Sequence, residues 1–206
     1  MKRHLLTICL VVLGLGALAV SASAQAAPAI AQDFFKINYF SNNGVSGAPD
    51  ATVRIDNPGS PVNVPDSTGP QDLCAMIYVF DNDQQLTECC GCLVTPNGLR
   101  TLSVGKDLTS NPLTGVKSNN GVFKIVSAVP NNDPCDPTTG FELSPTVRAW
   151  ASHVQNKVGT AYPITETEFS NATLSEAELE GNLIAQCFFA QRLGSGHGVC
   201  SCGTGD

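Results

Sequence analysis

Short runs with strand periodicity recur along this chain. "DFFKINYF" (33–40) is aromatic and β-branched. In "ATVRIDN" (51–57), Val53 and Ile55 fall on one face and Arg54 and Asp56 on the other. "LCAMIYVF" (73–80) is apolar on both faces, which is the pattern of a buried central strand. "LTECCGCLV" (86–94), "LRTLSV" (99–104), "GVFKIVSAV" (121–129), "TVRAWASHV" (146–154) and "PITETEF" (163–169) complete a set of seven or eight strands. Turn formers separate them. "DNDQ" (81–84) reads as a hairpin, and "TPNG" (95–98) as a turn in which Pro96 presets one dihedral and Gly98 accepts a positive φ. "DNPGSPVNVPDSTGPQD" (56–72) and "NNDPCDPTTG" (131–140) are longer loops. No helices lie between the strands to support a parallel sheet, so the pattern predicts an antiparallel β-sandwich, of which the immunoglobulin-like form is one version.

The period changes near the C-terminus. In "LSEAELEGNLIAQCFFAQRLGSG", Ser175 is placed as an N-cap and Glu178 completes a capping box. Leu179, Leu183, Ile184, Cys187, Phe188 and Leu193 form an apolar stripe, and Gly194 stops the helix. An amphipathic helix over about 175–193, docked on the sandwich, is expected.

The N-terminus has a third pattern. Lys2 and Arg3 precede an apolar run from Leu5 to Val20, followed by Ala22-Ser23-Ala24. This is the layout of a secretory signal peptide over 1–24, with cleavage after Ala24 or, alternatively, after Ala31. The run is short for a membrane anchor, which takes roughly 20 residues. Cys9 lies between Ile8 and Leu10, where a lipid-modified cysteine would want a small residue before it. Cleavage would leave residues 25–206 as one domain without a transmembrane segment, secreted, periplasmic or held at the cell surface. Loss of Lys2 and Arg3 would take the formal charge from −7 to −9. An acidic chain with no Lys/Arg cluster is a poor ligand for nucleic acid or anionic lipid. Only 14% of residues are charged, and turn formers are abundant, as in exported β-proteins.

Eight cysteines would remain: Cys74, Cys89, Cys90, Cys92, Cys135, Cys187, Cys200 and Cys202. An even number in an oxidising compartment predicts four disulfides, and about 105 pairings are open. In an extended strand Cys90 and Cys92 share one face and Cys89 takes the other. Residues paired across "DNDQ" should sum to about 165 or 166, which sets Cys74 opposite Gly91 or Cys92. A bond from Cys74 to Cys90 or Cys92 is therefore expected. The other cysteines of the cluster would then tie down the helix at Cys187 and the tail at Cys200 or Cys202. The C-C-x-C and C-x-C spacings are not zinc knuckles. The Cys89–Cys92 spacing falls in a strand, not at the helix start a redox motif needs. Thiolate binding of copper or zinc is the alternative to disulfides.

The remaining candidates are few. Asp81 and Asp83, with Glu88 nearby, and Asp133 with Asp136 are calcium candidates, though Gln85 and Leu86 stand where an EF-hand loop needs other residues. No G-x-S-x-G, H-E-x-x-H or Ser/His/Asp set stands out. His153 reads as a packed strand histidine, and His197 sits in a glycine turn. Trp150 alternates with Arg148 and Ser152, so it either packs in the core or faces out as a sugar-stacking platform. Asn171-Ala172-Thr173 matches a glycosylation sequon, to which a bacterial-type leader gives little meaning.

"LCAMIYVFDNDQQLTECCGCLVTPNGLRTLSV", together with the C-terminal "GSGHGVCSCG", resembles a group of secreted bacterial proteins with the same cysteine clusters. The resemblance implies export and a recurring disulfide framework, and brings no activity and no catalytic residue. The leading expectation is a non-enzymatic structural or adhesive protein of the bacterial cell exterior, whose partners would be other surface proteins or glycans. A carbohydrate- or calcium-binding module is the second, and a hydrolase with a site no motif reveals is the third.

Overall fold

The computed structural model describes residues 33–59, 70–110, 117–130, 135–144, 147–192 and 200–203. The expected leader over 1–24 with its two candidate cleavage sites, Asp133, Leu193, Gly194 and His197 lie outside them. Nine strands form: β1 (Phe35–Phe40), β2 (Thr52–Asp56), β3 (Leu73–Asp81), β4 (Leu86–Val94), β5 (Leu99–Ser103), β6 (Gly121–Ala128), β7 (Arg148–Val154), β8 (Ile164–Glu168) and β9 (Ser170–Asn171). They pair antiparallel in two sheets, ordered β4-β3-β6-β1-β9 and β5-β2-β7-β8.

Strands β2 to β6 follow the B, C, C′, E, F path of an immunoglobulin sandwich: β2 and β5 share one sheet, and β3, β4 and β6 the other. The outer members depart from it. β1 pairs with β6 and β7 pairs with β2, so the first and seventh strands have exchanged sheets relative to that fold.

The main core lies between the sheets, where Val53, Ile55, Ile77, Val79, Phe123, Ile125, Ala149 and Ala151 are buried. A second apolar cluster covers the outer side of the first sheet, with Phe35, Cys74, Met76, Tyr78, Cys89 and Val126 packed against Leu183 and Cys187. This is why β3 is apolar on both faces: it is covered twice.

The cover on that outer side is the C-terminal helix, π-helical over Ala177–Ile184 and continuing as α1 (Ala185–Arg192). Ser175 caps it, its Oγ accepting the Glu178 N–H at 3.1 Å. The capping box is only half made, because the Glu178 carboxylate turns to Lys124 and Asn182. The buried stripe is also narrower than expected. Leu183 and Cys187 are fully buried and Leu179 packs against the cluster, but Phe188 is 39% exposed. The helix docks through the single row 179-183-187, and Phe188 lies one position off it, under the Arg192 guanidinium at 4.8 Å.

The disulfides are Cys74–Cys135, Cys89–Cys187, Cys90–Cys200 and Cys92–Cys202. Cys187 and the tail are tied to β4, as the alternation of that strand requires. The expected bond from Cys74 to Cys90 or Cys92 is not formed. The loop Asn82-Asp83-Gln84 closes between Asp81 and Gln85, with Gln84 at φ 65°, and Phe80 pairs with Leu86, a sum of 166. A bulge at Thr87 then inserts one residue, so that Val79 pairs with Glu88 and Cys74 with Leu93. Cys74 thus shares the face of Cys89, while Cys90 and Cys92 point into the other core. The "TPNG" turn closes as expected, but Asn97 takes the positive φ of 59° and not Gly98.

Candidate functional site

Trp150 belongs to neither apolar cluster. Along β7 the inward positions are Ala149, Ala151 and His153, so Trp150 emerges, half-buried, on the outer face of the second sheet. Cross-strand register places it beside Arg54 of β2 and Glu168 of β8, with Thr101 beyond Arg54 on β5. On one side of this row, Ser152 is opposite Glu166 and its hydroxyl accepts the Thr52 N–H at 2.7 Å. On the other side, Arg148 lies opposite Asp56.

Four charged groups of the face, Arg54, Arg148, Glu166 and Glu168, are in ion pairs. Arg54 Nη1 meets Glu166 Oε2 at 2.5 Å, and Arg148 Nη1 lies 3.0 Å from Asp33 Oδ2 and 3.9 Å from Glu168 Oε1. Pairs this exposed add little stability. They bring the guanidinium groups of Arg54 and Arg148 and the carboxylates of Glu166 and Glu168 to the positions beside the indole. The surface offers one partly buried indole flanked by charged and polar side chains, with no covering element among the described residues.

The calcium candidates are placed apart. Asp81 and Asp83 sit in the exposed hairpin turn, while Glu88 is buried on β4 opposite Val79. Asp81 Oδ1 already accepts the N–H groups of Asp83 and Gln85, each at 2.9 Å. Asp136 Oδ1 likewise accepts the N–H and hydroxyl of Thr138, at 2.8 and 2.6 Å. Both carboxylates close turns. Among the described residues, the group of three potential metal-binding side chains is Cys90, Cys92 and Cys202, whose sulfurs are already engaged in disulfides.

His153 is fully buried with its ring stacked on Tyr39, the centroids 4.1 Å apart. Its Nε2 lies 2.7 Å from Thr167 Oγ1, which also accepts from Asn38 Nδ2 at 3.2 Å. Burial pushes its pKa down, and attraction of the protonated ring to the Tyr39 main-chain carbonyl partly opposes this. The ring sits under Tyr39 as a wedge at the side of the sandwich.

Sequence reasoning missed a cleft of about 310 Å³ between the β3–β4 turn, β6 and the C-terminal helix. Phe80 and Val122 line it, and Glu178, Asn182 and Gln186 descend into it from the helix. Lys124 pairs with Glu178 across it and lies 4.8 Å over the Phe80 ring. The hydrogen bond from Lys124 holds the Glu178 carboxyl below its usual range, against the opposing effect of burial and with help from Asn182. The signal was readable. Glu178, Asn182 and Gln186 repeat every four residues, one position before the buried row Leu179, Leu183 and Cys187.

No protein-family model matches the chain, and no curated protein or solved structure is detectably similar to it.

Proposed function

We propose that this chain is a non-enzymatic adhesive module of the bacterial cell exterior that binds carbohydrate on the outer face of its second sheet. One observation carries the reading: Trp150 stands only partly buried amid polar groups. A Trp is usually largely buried, so one left on a polar face is informative where an exposed Leu is not. An indole plane suits the C–H face of a pyranose, and the surrounding Arg54, Glu166, Glu168 and Ser152 suit its hydroxyls. Sugars with equatorial hydroxyls, such as β-linked glucose and N-acetylglucosamine oligomers, have the flattest apolar faces and fit best.

The extracytoplasmic setting is supported by the four disulfides. It is also supported by the leader pattern and by the resemblance to secreted bacterial proteins. No described helix is long and apolar enough to cross a membrane. Assembly by strand addition is the competing structural reading. It is disfavoured at β8, whose five exposed residues include Glu166 and Glu168, charges that blunt an edge.

The test is a binding panel of soluble β-linked glucose and N-acetylglucosamine oligomers, read by calorimetry, with Trp150→Ala and Trp150→Phe. Binding by the parent, weakened about tenfold or more in Trp150→Ala and less in Trp150→Phe, is expected; tenfold corresponds to about 1.4 kcal/mol. Absence of binding across the panel, or equal affinity in Trp150→Ala, would overturn the proposal.

A further inference from the structure

The bonds Cys90–Cys200 and Cys92–Cys202 are neighbours built from two C-x-C segments. On β4, alternation sends Cys90 and Cys92 to the same face. The tail carries Cys200 and Cys202 at the same spacing beside it. The sulfurs of Cys90, Cys92 and Cys202 all lie within 4.8 Å of one another, and the Cys200 sulfur is bonded to that of Cys90. The Cys200 sulfur falls outside that trio but is held against it by its bond to Cys90, and Cys90, Cys92 and Cys200 are almost wholly buried against the main core.

From this we infer that the reduced chain, before these two bonds form, holds a zinc-class cation through Cys90, Cys92, Cys200 and Cys202. A tetrahedral zinc site with bonds of about 2.3 Å places its sulfurs roughly 3.8 Å apart. Reaching that requires the bonded sulfurs to part once the disulfides are broken and the unbonded ones to close. The tail does not depend on the disulfides alone for its seat. Cys200 N–H donates to the Cys89 carbonyl at 3.2 Å and Ser201 N–H to the Asp107 carbonyl at 2.8 Å. The other four cysteines cannot join: Cys89–Cys187 and Cys74–Cys135 lie in the cluster on the opposite side of the first sheet.

The chemistry balances. Each disulfide takes two electrons and two protons from two molecules of a small thiol, which leave as their own disulfide. The four cysteine thiols then release four protons to solvent as they bind one Zn²⁺, giving a tetrathiolate of net charge −2. Oxidation by a disulfide-type oxidant runs the other way and releases the cation. Metal and disulfides are thus alternative occupants of one site. In the reduced chain the cation would gather the four cysteines that belong together, out of about 105 possible pairings.

The experiment uses the full mature chain, reduced with a phosphine under argon and titrated with Co²⁺ as a spectroscopic stand-in for Zn²⁺. Expected are one Co²⁺ per chain, thiolate-to-cobalt charge-transfer absorption, and protection of Cys90, Cys92, Cys200 and Cys202 from alkylation, mapped by mass. Cys74→Ser/Cys135→Ser should bind as the parent does, and Cys90→Ser/Cys202→Ser should lose the charge-transfer band. Absence of the band in the parent, protection of the other four cysteines, or an undiminished band in Cys90→Ser/Cys202→Ser would each overturn the inference.

Discussion

The two sheets of this sandwich share one core and differ on their outer faces. The first presents Cys74, Met76, Tyr78, Cys89 and Val126, and covers them with a helix and a disulfide-bonded loop. The second presents Thr52, Arg54, Arg148, Trp150, Ser152, Glu166 and Glu168, and nothing described covers them. An apolar outer face demands a lid, whereas a polar one can remain open to solvent. The one large aromatic side chain on the open face is then available for contact, and all four disulfides serve the tethering of the other side and the tail.

That contrast can be broken from the covered side with the largest effect. Cys89→Ala/Cys187→Ala releases the helix and should lower stability by about 2–5 kcal/mol in denaturant titrations, with new dye-binding apolar surface. Loss of less than 1 kcal/mol would show that the helix docks without its tether. A smaller loss is expected from Tyr78→Phe. The Tyr78 hydroxyl is buried and donates to the Pro137 carbonyl at 3.0 Å, so its removal should cost about 1–2 kcal/mol.

The seam at His153 should respond to pH. Its folded pKa lies below the ordinary 6.5 because burial disfavours the cation. The unfolded chain therefore takes up the proton first. The contribution is complete above about pH 6.5 and is lost as pH falls below it. The melting temperature should drop between pH 7 and pH 5, and His153→Gln should flatten that slope. The smallest change belongs to the open face. Arg54→Ala breaks the exposed pair with Glu166 and should alter stability by at most about 0.5 kcal/mol. A larger loss would mean that this face is structural.

Much of the fold was legible because strand alternation and turn chemistry are local. β3, β4 and β6 stand within a residue of their expected limits, and β4 sends its cysteines to both faces as its pattern requires. What was not legible came from single insertions and from partners distant in sequence. The bulge at Thr87 shifts the hairpin register by one, which moves Cys74 from Gly91 or Cys92 to Leu93. Nothing in "DNDQQLTE" distinguishes a bulge from a longer regular strand. The two-residue β9 and the π-helical turn Val104–Leu108 are too short to leave a period. The outward position of Trp150 was one of two readings allowed by its neighbours. Its setting beside Arg54 and Glu168 depends on strands about 100 and 20 residues away, paired through hydrogen bonds no local pattern encodes.

The measurement that bears most directly on the carbohydrate reading is a titration of the mature protein with N-acetylglucosamine oligomers, followed through amide and indole N–H resonances. This chain has a single tryptophan, so its indole signal needs no assignment by mutation. The account predicts saturable shifts at the Trp150 indole and at the amides of Arg54, Ser152 and Glu168. Shifts confined to Phe80, Lys124 and Asn182, with the Trp150 indole unmoved, would place recognition in the cleft beneath the helix and contradict it.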